Sequence, residues 1–284
     1  MYDHRHEFRM VKMAKVLDVS LSGYYAWRKR RKSKRHQEND NLLIAIRDIY
    51  HEGRKTYGSP SIWVELNKRG ISCGKNRVAR LMKNNGIYAV TKRRFKVTTD
   101  SRHKEPIAEN LLKKGVIIQR PNRIWVSDIT YIWTRERWMY LSVILDLHSR
   151  KIVGWSMRKH LRKELVTEAL SMAYNRRKPV PGLIFHSDRG VQYASESVRS
   201  FLSRRGFVQS MSDKGNCYDN AYAESFFHTL KTELIYQNNY QTREDAKQDI
   251  FEYIEVFYNR KRRHSALGYL SPEQFEKRYL RIAA

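Results

Sequence analysis

A chain of 284 residues with 41% hydrophobic content has room for one domain of ordinary size with smaller modules attached, and enough apolar material for a sizeable core. Its 56 Lys and Arg against 29 Asp and Glu leave a net charge of +27, which calls for a polyanion; nucleic acid is the commonest, because each phosphate neutralised releases condensed counterions. The 18 Tyr, 10 Phe and 6 Trp exclude a purely disordered basic tail, and Cys73 and Cys217 lack the spacing of a zinc site or disulfide framework, while no apolar run approaches membrane length; a cytoplasmic protein without zinc, disulfides or a membrane partner is expected.

Taken in chain order, Met10 to Leu17 has helical apolar spacing, Asp18 to Ser20 suits a turn, and Leu21 to Arg30 resumes a helix. Residues 1–40 therefore read as a helix-turn-helix-like segment. The basic run Arg28 to Arg35 is either a solvated linker or a phosphate-contacting arm. A second helical, DNA-binding module is expected over 41–90, its helices running from about Asn41 to Asn85. Gly58-Ser59-Pro60 opens one of these helices and Gly70 closes it. On the next helix Val78, Leu81 and Met82 form an apolar stripe, with Arg77, Arg80 and Asn84 on another face. That face either enters a major groove or simply meets water.

Residues 1 to 110 hold 26 basic and 11 acidic residues, the densest positive region of the chain. Thr91 to Lys104, which includes Lys92, Arg93 and Arg94, has no period and precedes Pro106, so 91–119 reads as a basic linker. From Arg123 the pattern turns to strands: IWVSDITYIWT, WMYLSVILDL and RKIVGWSM, with short polar breaks suited to antiparallel hairpins. A helix follows over Leu161 to Arg176, then a strand Leu183 to Phe185 ending at His186-Ser187-Asp188. Another helix is predicted over Ser195 to Gly206, a strand over Phe207 to Met211, and a long helix from Asp219 to about Tyr236. Residues 120–238 thus form the expected core. Residues 239–284 read as a helical and basic extension, with a helix from Arg243 to Tyr258, the cluster Arg260 to His264, and a capped terminal helix at Ser271-Pro272-Glu273-Gln274.

Three carboxylates stand out by context. Asp128 sits inside an apolar strand, where an unpaired charge would be expensive to bury, although it could also point outward on the alternating face. Asp188 ends a short apolar strand before Arg189-Gly190, a place where neighbouring strands converge but also a common turn position. Glu224 lies on a helix beside the small Ala221 and Ala223, and alone it reads as an exposed, solvated Glu. The 35 residues between Asp188 and Glu224 decide nothing by themselves. The surrounding blocks carry the weight.

WVSDITY, HSDRGVQY and SMSDKGNCYDNAYAESFFHTLKTEL resemble the three catalytic blocks of the DDE insertion-sequence transposases called the IS-three family, related to the retroviral integrase core. YGSPSIWVELNKRGISCGKNRVARLM before them and YNRKRRHSALGYLSPEQF after them extend the resemblance over most of residues 41 to 276. The resemblance implies an α/β, RNase H-like mixed sheet flanked by helices, with N-terminal all-α helix-turn-helix modules. It implies that Asp128, Asp188 and Glu224 hold two Mg²⁺ (or Mn²⁺) ions per active site, which nick insertion-sequence ends and transfer strands. Lys231, two helical turns after Glu224, is implied to contact terminal DNA. Further DNA contacts are expected from Arg77, Arg80, Lys92, Arg93, Arg94, Lys214, Arg262 and Arg263. The implied partners are double-stranded DNA, as terminal repeats and as target, and further copies of the chain, as a homodimer or larger assembly on paired ends. A bacterial, nucleoid-associated location follows from the same resemblance. Two other functions share many of these features: a non-catalytic DNA-binding regulator with the same fold, and a structure-selective nuclease that cuts without joining.

Overall fold

A computed structural model describes residues 1–90, 106–112, 118–213 and 221–283. Lys92, Arg93, Arg94, Lys214, Cys217 and Asp219 lie outside the described residues. The N-terminal part is helical: α1 (Met10–Val16), α2 (Leu21–Lys29), α3 (Lys34–Glu52), α4 (Ser59–Lys68) and α5 (Lys75–Asn84). Ser20 and Ser33 cap α2 and α3 by accepting from the backbone of Gly23 and His36. The third helix thus starts at Lys34 and not near Asn41, because Ser33 caps it within the basic run. Gly58 precedes α4, whose first turn carries Pro60, and Gly70, at φ 76°, follows its end.

Five strands form one mixed sheet in the order β3-β2-β1-β4-β5. β1 (Ile124–Thr134), β2 (Arg137–Asp146) and β3 (Ile152–Arg158) make an antiparallel meander. β4 (Ile184–Ser187) and β5 (Val208–Met211) add on parallel to β1. The parallel pairings require crossovers, supplied by α6 (Lys163–Arg177), α7 (Val191–Ala194) and α8 (Glu196–Ser203). The sequence did not suggest α7, since four residues are too few to show a period. Gly154 on β3 lets α6 approach closely: a Cβ there would stand 2.8 Å from the Ala173 methyl.

On the other face lies α9 (Ala221–Glu233), which buries Ala223, Phe226, Phe227 and Leu230 and packs on β1 and β2. The C-terminal part adds α10 (Arg243–Glu252), a π-helical stretch Tyr253–Tyr258, and α11 (Pro272–Ala283). The π turn replaces the end of the single expected helix, and it buries Tyr253, Ile254, Phe257 and Tyr258. Asn259 grips the backbone of Ile152 on β3 with both side-chain atoms, each bond 2.9 Å. Ala246, Ile250, Tyr253, Ile254, Phe257 and Tyr258 thus belong to the main apolar core. One apolar cluster runs from Ile46 and Ile62 of the helical part through Val126 and Leu141 to Ile250 and Phe257. Tyr57 donates to the Lys261 carbonyl at 3.0 Å and Arg263 pairs with Glu65 at 2.6 Å, tying the same regions together. No helix among the described residues is long and apolar enough to cross a membrane.

Candidate active site

The parallel register of β1 and β4 pairs Ile124 with Ile184, Trp125 with Phe185 and Val126 with His186. Carried two places on, it sets Asp128 beside Asp188, just past the end of β4. The backbone N–H of Ile129 donates to Asp128 Oδ1 at 2.8 Å, and that of Gly190 to Asp188 Oδ1 at 2.9 Å. Both aspartates are half-buried. Burial, then the like charge of Asp188, raises the Asp128 carboxyl well above the usual carboxylate range; Glu224 adds a smaller push and Lys231 pulls the other way. Four ionisable side chains thus share one electrostatic neighbourhood.

Two of the four come from α9. Its apolar side is pinned to the sheet, so Glu224 and Lys231, seven residues and nearly two whole turns apart, share one side of the helix. Burial lowers the ammonium pKa of Lys231, and the Asp128 charge partly restores it. Glu224 is exposed on the first turn. Among the described residues no three His, Cys, Asp or Glu side chains are grouped tightly enough to hold an ion, so Glu224 has not closed on the two aspartates. The donor set nevertheless suits a hard dication: anionic oxygens, two of them forced together by strand register, with like-charge repulsion that a cation would relieve.

Beneath the carboxylates is a buried polar layer that sequence reasoning did not single out. Ser127 donates to the Val143 carbonyl at 2.8 Å and meets Tyr193 Oη at 3.0 Å. Tyr193 is fully enclosed, and burial first, then Asp128 and Asp188, raises its phenol well above the ordinary value. His186 lies between Ser210 and Ser212, at 2.9 and 3.0 Å, and locks β4 to β5. The signal for these residues was the polar alternation of Ser210 and Ser212 at the end of a strand, and a Tyr five residues after Asp188.

The remaining sites expected to touch DNA divide. Arg80 is exposed on α5. Arg77 is not available in the same way: its Nε donates to Asn39 at 2.8 Å and it pairs with Glu38 at 3.1 Å, which binds α5 to α3. Arg262 and Arg263 are also held within the protein. Arg262 grips Glu233 through three bonds of 2.6 to 3.0 Å, and Tyr253 donates to the same carboxylate. Arg263 binds Glu65 and Gln274, each at 2.6 Å. Carboxylates inside the protein already neutralise these two guanidiniums, so both knit the C-terminal segment in place.

Comparison with known proteins agrees with this architecture. Two families, both described as integrase core domain, match residues 118–217 and 224–280, and an HTH-like domain matches residues 37–95. The insertion element IS600 uncharacterized 31 kDa protein of Shigella sonnei is 43% identical over 272 residues, covering 96% of this chain and 100% of that protein. Transposase InsF for insertion sequence IS3A of Escherichia coli (strain K12) is 41% identical over 279 residues, covering 98% and 97%. A chain in a simian T-cell lymphotropic virus intasome, bound to PP2A regulatory subunit B56 gamma, aligns over 75% of this chain and 70% of its own with TM-score 0.46 and 15% identity, too loosely to carry detail. The near-complete overlap with insertion-sequence proteins, together with the integrase core and HTH-like matches, places the chain in the IS3, or IS-three, family of insertion-sequence transposases.

Proposed function

We propose that the chain cuts DNA at the ends of an insertion sequence and joins the freed ends to new DNA, with Asp128, Asp188 and Glu224 as the carboxylates that hold two Mg²⁺ or Mn²⁺ ions. The observation that carries this reading is that Asp128 and Asp188 lie close enough to repel, with Glu224 and Lys231 of α9 near enough for their charges to act on Asp128. Held by these three carboxylates, such ions would supply activation of an attacking oxygen and stabilisation of charge on the leaving oxygen. The protein's part is positional. Ile129 and Gly190 each orient one oxygen of an aspartate through a backbone N–H, so the carboxylates are fixed before any substrate arrives. Repulsion from Asp188 favours the protonated form of Asp128, so filling the site with cations releases that proton. Lys231, held between burial and the Asp128 charge, meets a phosphate of the DNA end and keeps the strand against the carboxylates. In the cutting step water attacks a phosphodiester and its P–O3′ bond breaks, freeing a 3′-hydroxyl; in the joining step that hydroxyl loses its proton, attacks a second phosphodiester and displaces another 3′-oxygen, which takes up a proton, and one set of carboxylates serves both.

The test is incubation of the protein with Mg²⁺ and the DNA flanking its own coding region, followed by mapping of nicks and joined products. Asp188→Asn is expected to abolish both reactions while DNA binding persists; preserved joining would refute the assignment. Pre-nicked ends separate this function from that of a nuclease, since only strand transfer gives joined products. A protein that binds the ends yet yields neither nick nor joint in any divalent metal would be a regulator.

A further inference from the structure

The β1–β2 hairpin carries an aromatic face that no helix among the described residues covers. Tyr131 and Trp133 on β1 stand directly opposite Tyr140 and Trp138 on β2, so four rings share one side of the sheet. Their centroids lie 4.9 Å apart for Trp133 and Trp138 and 5.3 Å for Tyr131 and Tyr140, in edge-to-face contact. Even so, Trp133 is 55% exposed, Trp138 47% and Tyr131 39%. Clustered rings left in water mark a surface with a partner.

This hairpin is pinned. The Arg135 N–H donates to the Tyr240 carbonyl at 3.1 Å, and the Arg243 guanidinium donates to the carbonyls of Glu136 and Trp138 at 2.9 and 3.2 Å. The rings are therefore held in place before anything binds, which lowers the entropy lost on binding. Their position matters too. Tyr131 is three residues beyond Asp128 on the same strand, about 10 Å along it and, by strand alternation, on the opposite face, so a strand leaving the carboxylates reaches the rings over the edge of β1 beyond Val126, where β4 no longer pairs with it.

The flanks are basic. Arg158 on β3 stands opposite Tyr140, and exposed Lys159, Arg162 and Lys163 follow it; exposed Arg135 and Arg137 lie at the hairpin's turn. The acids close by are matched, Glu136 with Arg243 and Glu168 with Arg158, while exposed Glu164 lowers the excess by one charge. A protein partner would seal a ring cluster with apolar side chains and disfavour charge around its centre. Rings interleaved with cations suit a single nucleic-acid strand, whose bases offer π-faces to the rings while its phosphates meet Lys and Arg. Paired bases stacked within a duplex offer no such face.

We propose that Tyr131, Trp133, Trp138 and Tyr140 are a stacking platform for unpaired bases of the DNA strand that runs out of the carboxylate site, with the cations of residues 159–163 and of the hairpin turn taking its phosphates. The proposal rests on the reading of Asp128, Asp188 and Glu224 as a DNA-cutting site. It assigns the platform to strand positioning, before or after cutting.

Binding of the full chain is measured, with EDTA present to prevent cutting, to an insertion-end duplex that is blunt and to the same duplex with a short unpaired overhang carrying 2-aminopurine. The Trp133→Ala/Trp138→Ala variant is expected to bind the overhanging end ~5- to 150-fold more weakly, the range given by loss of one stacked base, with blunt-end binding unchanged. The 2-aminopurine fluorescence is quenched by wild type and not by this variant, and Trp133→Phe/Trp138→Phe restores most of both signals. An equal loss on both duplexes, or no loss on either, overturns the proposal. So does a variant whose weaker binding comes with dissociation of an assembly in sedimentation, which would make the face a contact between copies. If wild type quenches the overhang but never cuts or joins, the catalytic reading fails and the platform stands.

Discussion

Asp128 on β1 and Asp188, just past the end of the neighbouring parallel strand β4, are near enough that folding forces together two carboxylates that repel. Without divalent metal the pair therefore costs stability, and Asp128→Asn is expected to raise Tm in EDTA by about 2–4 °C, the shift that ~1 kcal/mol produces in a chain of this size. Cutting and joining are lost in the same variant. The pH dependence has a definite sign: Asp128 titrates above its unfolded value of 3.8, so as pH rises through the carboxylate range the unfolded chain loses its proton first. Wild-type stability in EDTA then falls relative to the variant as pH climbs from about 4. Added Mg²⁺ should raise the Tm of wild type, by the linkage of ligand to fold, and leave the variant nearly unmoved. Thermal melts at several pH values, with EDTA or Mg²⁺, check all of this; a variant less stable than wild type in EDTA sinks the repulsion argument.

Lys231 gives a separate test of how the DNA end is held. Its ammonium is half-buried beside Asp128 and has a depressed pKa, so desolvation already opposes its charge. A phosphate would restore the charge. Lys231→Ala should weaken binding to insertion-end DNA and reduce the slope of log K against log salt by about 0.9, the contribution of one phosphate contact. Titrations at several salt concentrations decide it, since an unchanged slope leaves Lys231 with no phosphate.

The fold was legible wherever one short stretch carried its own instruction. The apolar runs of β1 and β2 and the cap at Ser271, where Gln274 returns the bond at 3.3 Å, stand where the pattern put them. The start of α3 was hidden because a dense charge run looks the same whether it is a linker or a helix face, and only Ser33 marks the boundary. The aspartates could be picked out by context, but their adjacency depends on the register of β1 with β4, which is fixed only after the chain has passed through β2, β3 and α6. Partners were least legible of all. A basic cluster such as Arg262-Arg263 shows its charge locally, while the carboxylates that neutralise it sit 29 and 198 residues away.

The role of Arg262 is itself testable. The Arg262–Glu233 pair is nearly enclosed and Tyr253 donates to Glu233 at 2.7 Å, so removing the guanidinium strands a buried carboxylate. Arg262→Ala should cost about 3–5 kcal/mol of stability. Urea unfolding measures this. A variant of wild-type stability that binds DNA poorly would return Arg262 to the DNA surface.

Arg77 and Arg80 should separate in the same manner. Arg77 bridges α5 to α3 through Asn39 and Glu38, whereas Arg80 faces solvent one turn further on. Arg80→Ala is expected to leave Tm unchanged and weaken end binding, by roughly 1–3 kcal/mol if the side chain reads a base edge. Arg77→Ala should instead lower Tm. Equal effects of the two on DNA binding, with no change in melting, would mean that α5 presents a different face than its contacts with α3 suggest.

Glu276 on α11 provides a test far from the carboxylates. It accepts from Arg177 at 2.7 and 2.9 Å, from Ser149 at 2.8 Å and from Lys151 at 3.3 Å, and is 5% exposed. Burial alone would push its carboxyl up, but the bonds and charge of Arg177, with Lys151, outweigh that and hold it below the usual 4.5. A depressed carboxylate stabilises the fold above its unfolded pKa, and that stabilisation is lost as pH falls through the folded value. Glu276→Gln should therefore be less stable at pH 7, by about 3–5 kcal/mol if Arg177 is left without a counter-charge, with the gap to wild type closing as pH drops below about 4.5. Asp146, 3.9 Å from Arg177, titrates high because it is buried, and its contribution has the opposite sign. Only the difference between wild type and variant isolates Glu276, so urea unfolding of both is compared at neutral and acid pH. A gap that persists undiminished in acid would show that packing of α11, and not the ion pair, holds this helix against the β2–β3 turn.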